Sequence, residues 1–162
     1  MIQSDIEKAG SLAEQLAIKV RNSNGNLSVI YYKLEEVLIN YRKTGGDIDL
    51  VMPAIYEVDF EYNRTSPDGR SIWFAYADVL HDELCKPNGT LHKKVVLEPN
   101  STGTSIVLLI INQLMLPPSS AMIVAPIAAS ILGLGVKAFC RHGGKEEEGG
   151  GDGGGDGGGE CK

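Results

Sequence analysis

The sequence has little positive charge. Its 162 residues include 15 lysines and arginines against 21 aspartates and glutamates, which gives a formal net charge of −6. Proteins that bind nucleic acid neutralise phosphates with a basic stripe or patch. Because the charge balance is acidic, the sequence argues against nucleic acid as a partner.

Cysteine is also scarce, with only Cys85, Cys140 and Cys161 along the chain. An odd number of cysteines at wide spacing provides neither a disulfide framework nor a paired metal-ligand motif. We therefore expect a reducing compartment.

The first residues contain no basic region followed by an apolar stretch, so no cleaved secretory signal is expected. Four Asn-X-Ser/Thr triplets begin at Asn26, Asn63, Asn88 and Asn100. Such triplets matter only when that part of the chain enters a secretory lumen. Without a leading signal, we expect them to stay unmodified.

Catalytic and ligand-binding motifs are sparse. His81, Cys85 and His92 offer the nitrogen and thiolate ligands that zinc prefers, or a thiol nucleophile with a base. Their spacing matches no paired ligand motif, and the glycine clusters lack the Lys-Ser/Thr of a phosphate-binding loop. The sequence predicts no enzyme, no metal site, no cofactor and no small-molecule substrate.

The fold class predicted for the chain is mainly α, with residues 1–98 as a mostly helical front-end domain. Apolar residues recur at three- and four-residue steps over residues 4–21, 27–43 and 70–85. Such steps place the apolar side chains on one face of a helix, and loop or turn residues follow each stretch.

Two parts of this front end are ambiguous. Val58, Phe60 and Tyr62 alternate with acidic residues, so a short β-hairpin pairing 58–62 with 72–76 is the alternative to a helix. Residues 91–97 are predicted to form a short strand.

The aromatic pair Trp73 and Phe74 also bears on function. Adjacent residues point in different directions on a helix, so at least one of these two should be partly exposed. An exposed tryptophan is typical of a membrane interface.

The most unusual feature is the absence of charge from residues 99–136. This apolar segment, 99–142 with its flanks, divides into two predicted helices at 105–116 and 121–139. Pro117-Pro118 separates them, because two adjacent prolines cannot continue a helix. The second part has about nineteen residues, which at ~1.5 Å per residue approaches the ~30 Å of bilayer hydrocarbon.

Small residues recur every four positions in the second part, at Ala121, Ala125, Ala129 and Gly133. This spacing lines one helix face with small side chains, which allows close approach of another helix, as in membrane packing. We expect this face to mediate self-association, so that the protein forms a homo-oligomer.

Lys137, Arg141 and Lys145 follow the apolar segment, and positive residues tend to stay on the cytoplasmic side of a membrane. A re-entrant arrangement, with the turn at 117–120 inside the apolar region, keeps both ends cytoplasmic. Cys140 at the exit then becomes a candidate lipidation site.

The sequence thus predicts a non-enzymatic, membrane-associated helical protein with a cytoplasmic front end. Its partners are the lipid bilayer or partner helices, and it anchors to or perturbs the membrane. The alternative is a soluble cytoplasmic interaction module with 105–139 buried as a core helical hairpin. Residues 143–162, rich in glycine and acidic residues, are predicted to form a disordered tail.

Overall fold

In the computed structural model, which describes residues 2–46, 69–97 and 102–143, the chain forms a helical bundle. These three ranges contain seven α-helices, one 3₁₀ turn and no strand. The prediction of a mainly α fold is confirmed. The helices are α1 (Ile2–Asn22), α2 (Ser28–Lys43), α3 (Gly69–Cys85), α4 (Thr90–Leu97), α5 (Gly103–Leu114), α6 (Ala121–Leu134) and α7 (Val136–Gly143).

The three helices predicted for the front end are present as α1, α2 and α3, with ends within two residues of the predicted ones. On α2 the periodic residues Ile30, Leu34 and Leu38 are buried. The three- and four-residue spacing therefore identified the inner face correctly.

The predicted strand at 91–97 is wrong, because Thr90–Leu97 is a helix. Its first backbone N–H, on Thr90, donates to the Glu83 carboxylate at 2.9 Å, and Leu91 is buried in the core. Residues 72–76 lie within α3, so the helical alternative is confirmed there. Residues 58–62 and the predicted tail from 144 onward lie outside the described residues.

The apolar segment breaks twice. The break at Pro117-Pro118 is confirmed, since α5 ends at Leu114 and a 3₁₀ turn, Pro118–Ser120, precedes α6. A continuous helix over 121–139 is wrong, because Gly135 adopts a φ of 85° and ends α6. Glycine takes this conformation readily, and α7 leaves at a bend of 115°.

Helix α6 lies at the centre of the core. It packs most extensively against α1 and also contacts α2, α5 and α7. Every residue from 123 to 131 is buried. The middle of the apolar segment is thus covered by the chain's own helices.

Trp73 fixes α3 against this core. Its indole N–H donates to the Ser130 hydroxyl at 2.9 Å, and that hydroxyl donates to the Ile127 carbonyl at 2.7 Å. The rings of Phe74 and Phe139 pack edge-on against it. Trp73 is fully buried and Phe74 is the partly exposed member of the pair, so Trp73 is not positioned for a membrane interface.

Candidate docking site

The predicted association face lies inside the bundle. Ala121, Ala125 and Ala129 are buried, and α1 is the helix that α6 contacts most. A Cβ added to Gly133 would meet the Val20 Cβ of α1 at 2.8 Å. The small residues do bring two helices close together, but the second helix belongs to the same chain. Self-association through this face would require α1 to move away.

Cys140 is not a free thiol. Its sulfur is bonded to that of Cys85, with the two Cα atoms 5.8 Å apart. The expectation that the cysteines provide no disulfide is therefore wrong, because α7 returns to the end of α3 across a separation of 55 residues. While this bond is intact, Cys140 has no thiol to form a lipid thioester.

The same bond bears on the His81, Cys85 and His92 cluster. A thiol nucleophile or a thiolate ligand at Cys85 requires a free sulfur, which the disulfide removes. The Nδ1 atom of His92 lies 2.9 Å from the Leu84 carbonyl, a contact that ties α4 to α3. Within the ranges that the structure describes, no three His, Cys, Asp or Glu side chains are grouped to hold a metal ion.

Among the residues that the structure describes, the most exposed large apolar side chain is that of Met115, at the turn between α5 and α6. We call residues 114–122 the hairpin tip. Met115 is 87% exposed and Met122 is 38% exposed, whereas Leu114, Leu116 and Pro117 are half-buried. The hairpin tip contains no titratable side chain, and the nearest charged residues in the sequence are Glu98 and Lys137.

The backbone of the hairpin tip is largely hydrogen-bonded within the hairpin. The N–H groups of Met115 and Leu116 donate to α5 carbonyls at 3.3 Å and 3.0 Å. The Ser120 N–H donates to the Pro117 carbonyl at 2.9 Å, and its hydroxyl donates to the same oxygen at 2.6 Å. Pro117 and its neighbour Pro118 have no N–H. The hairpin tip therefore presents few donors that need water.

Met115 has an unusual backbone conformation. It ends α5 with φ 56° and ψ 44°, the left-handed region that glycine or asparagine commonly occupies at a helix C-terminus. For a residue with a Cβ, this conformation is less favourable by roughly 1–2 kcal/mol. The least favoured backbone position of the hairpin tip thus carries its most exposed apolar side chain.

Replacing Met115 with glycine should raise the free energy of unfolding by up to about 1 kcal/mol, because glycine adopts the left-handed conformation without the Cβ clash. Urea unfolding followed by circular dichroism measures this change. Met115→Ala, which retains the Cβ, is the matched control and should show no such gain. A glycine variant less stable than the alanine variant would contradict an unfavourable backbone conformation at Met115.

None of the described helices is by itself long and apolar enough to cross a bilayer. The bent pair Pro118–Leu134 and Val136–His142 passes the length and composition test only when its two parts are taken together. Comparison with protein-family models, curated proteins and solved structures found no match.

Sequence reasoning located the turn at 117–120 within an apolar region but missed the two methionines beside it. The available signal was their position: Met115 and Met122 bracket the proline pair within the uncharged segment. Whether a methionine in such a segment is buried depends on which helices cover it, and the spacing of residues within one helix does not specify that.

Proposed function

We propose that this is a small, non-enzymatic helical protein that docks on the surface of a lipid bilayer through its hairpin tip. The observation that carries the proposal is the exposure of Met115 and Met122 on an uncharged, internally hydrogen-bonded turn. Such a protein lies on the membrane and does not span it.

The chemistry of the hairpin tip suits contact with lipid. Residues 114–122 carry no charged side chain that would have to be removed from water on entering hydrocarbon. Hydrocarbon offers no hydrogen bonds, so a segment that enters it must satisfy its own polar groups. The bonds from Met115, Leu116 and Ser120 meet much of this requirement.

Only the hairpin tip would enter the bilayer. Residues 123–131 of α6 pack within the bundle, and the α5 residues Ile106, Val107 and Ile110 are also buried. Deeper entry would expose this core to lipid and separate α6 from α1. The proposal therefore keeps the predicted membrane contact and re-entrant turn, and restricts them to residues 114–122.

Docking through so small a surface should be weak and reversible. Burying one large apolar side chain contributes about 1.5–3 kcal/mol. The binding free energy available from Met115, Met122 and the proline pair is thus comparable with that of a single fatty acyl chain, which gives marginal binding. Because the hairpin tip has no charge, it adds no electrostatic attraction to anionic lipid, and neutral vesicles are the appropriate probe.

Flotation of the full chain with vesicles of neutral phosphatidylcholine tests the proposal. The unmodified protein should float with the vesicles, and Met115→Ser with Met122→Ser should lower the partition coefficient roughly tenfold or more, since ~1.4 kcal/mol corresponds to a factor of ten. Ile39→Ser is the matched control, because Ile39 is an exposed apolar residue on α2, at 51% exposure.

Two outcomes would contradict lipid docking. Equal flotation of the double variant and the Ile39→Ser control would show that the hairpin tip is not the contact. Absence of flotation by the unmodified protein, together with tip-dependent capture of a defined protein, would instead support the interaction-module alternative.

The proposal also places the protein in an oxidising compartment. Disulfides form and persist in such compartments and are rare in the cytosol, and the Cys85–Cys140 bond joins two helices of the bundle. This proposed location differs from the cytoplasmic one expected from the sequence. Alkylation of thiols in intact cells before any reduction should leave Cys85 and Cys140 unlabelled.

A further inference from the structure

We propose that Asn26 and Asn88 are acceptor sites for N-linked glycans. Each begins an Asn-X-Ser/Thr triplet, and both asparagines are exposed in loops that precede helices, Asn26 before α2 and Asn88 before α4. The inference does not depend on docking by the hairpin tip. It rests on these two loops and on the disulfide.

The Asn26 triplet has its acceptor and hydroxyl side chains in contact. The Oδ1 atom of Asn26 accepts hydrogen bonds from the Ser28 backbone N–H at 2.9 Å and from the Ser28 hydroxyl at 2.6 Å. This is the turn in which an asparagine side chain bonds the backbone two residues on. Both bonds use Oδ1, so the nitrogen that would carry the sugar takes part in neither.

Asn88 lies in the turn between α3 and α4. Its neighbours Lys86 and Pro87 are exposed as well, and the Gly89 N–H donates to the Lys86 carbonyl at 2.9 Å. Thr90, the third residue of the triplet, is exposed at the start of α4. The acceptor side chain and the hydroxyl residue are therefore both at the surface.

The disulfide supplies the reason to reconsider these triplets. From the sequence alone these triplets are expected to stay unmodified. The Cys85–Cys140 bond indicates an oxidising compartment, and the secretory lumen, where asparagine-linked glycans are added, is one such compartment. In that compartment the Asn-X-Ser/Thr triplets are acceptor motifs for N-linked glycans.

The Asn26 loop lies at the end of α6 away from the hairpin tip. A Cβ added to Gly25 would lie 3.3 Å from the Leu134 side chain, at the C-terminal end of α6. The hairpin tip lies at the other end of α6, roughly 20 Å away for 14 residues. A glycan at Asn26 would leave the hairpin tip uncovered.

The chemistry requires an oligosaccharide carried on a lipid pyrophosphate as the donor. The asparagine Nδ2 forms a bond to C1 of the first sugar, and the bond between C1 and the pyrophosphate oxygen breaks. The amide nitrogen releases one proton, and the lipid pyrophosphate leaves with the bonding electron pair. No oxidation or reduction takes place.

The test is expression of the full chain into the secretory lumen of a eukaryotic cell behind a cleavable leader. Enzymatic deglycosylation that converts glycosylated asparagine to aspartate, followed by peptide mass spectrometry, should report modification at both Asn26 and Asn88. Ser28→Ala and Thr90→Ala should each remove one glycan and retain the asparagine. Ser28→Thr and Thr90→Ser, which preserve the triplets, should retain both glycans.

Formation of the Cys85–Cys140 disulfide in each variant shows that the chain has entered the lumen and folded. Unmodified Asn26 and Asn88 in a chain with this disulfide would overturn the proposal, even if Asn63 or Asn100 were occupied. Modification of only one of the two would overturn the assignment of the other.

Discussion

Replacing Cys85 and Cys140 with serine should lower the free energy of unfolding by about 4 kcal/mol. The disulfide closes a loop with a sequence separation of 55 residues, and the loss of loop entropy in the unfolded chain predicts an effect of that size. Small domains commonly have a total stability of about 5–15 kcal/mol. The double variant should therefore lose a large share of its stability, which urea unfolding monitored by circular dichroism would measure.

The control for this prediction is Cys161→Ser, which leaves the described disulfide intact and should unfold at the same urea concentration as the unmodified chain. A reducing agent should destabilise the unmodified chain and leave the Cys85/Cys140 double variant unchanged. Equal stability of oxidised and reduced protein would contradict a structural role for the bond.

Replacing both Ala125 and Ala129 with leucine should destabilise the monomer by several kcal/mol. Both alanines are fully buried on α6, the helix that packs most extensively against α1. Extra methylenes in a well-packed core typically cost about 1–3 kcal/mol per site. If the face instead joined separate copies, as the sequence predicted, the variant would keep its stability and lose an oligomer.

Thermal unfolding and analytical ultracentrifugation distinguish these outcomes. Met122→Leu is the control, because it is a similarly apolar change on the exposed side of α6 and should have little effect. A double variant that melts at the normal temperature would contradict the packing of this face within the chain.

Helix periodicity explains what could be predicted from the sequence. The inner face of α2, with Ile30, Leu34 and Leu38, follows from residue spacing alone. The break at Pro117-Pro118 follows from the proline pair itself. Both depend on local geometry, which the sequence encodes directly.

The errors have a different origin. Gly135 ends α6 within a stretch that reads as one helix, because a glycine permits a left-handed turn but does not require one. Pairing of Cys85 with Cys140 depends on the path of α7 relative to α3, which cysteine spacing does not reveal. Residues 91–97 form a helix and not a strand. The helix begins where the Thr90 N–H donates to Glu83, and Leu91 packs into the core; both contacts depend on the fold and not on local sequence.

The sequence also did not reveal which residues of the apolar segment are buried and which form the candidate site. A mostly apolar part of about nineteen residues satisfies the length criterion for a membrane helix, and a buried core helix can satisfy it as well. Residues 123–131 are in the core, whereas Met115 is at the surface. Met115 and residues 123–131 belong to the same uncharged segment. Residues 123–131 are buried because α1 and α2 pack around α6.

The most direct measurement of docking by the hairpin tip is fluorescence quenching by vesicles with brominated acyl chains. In Met115→Trp, the new indole would lie at the tip, and the native Trp73 remains a buried background signal. We predict strong quenching of Met115→Trp and none beyond background for Ile39→Trp, which places the indole on α2. Equal quenching in the two folded variants, or none in either, would contradict insertion of the hairpin tip into the bilayer.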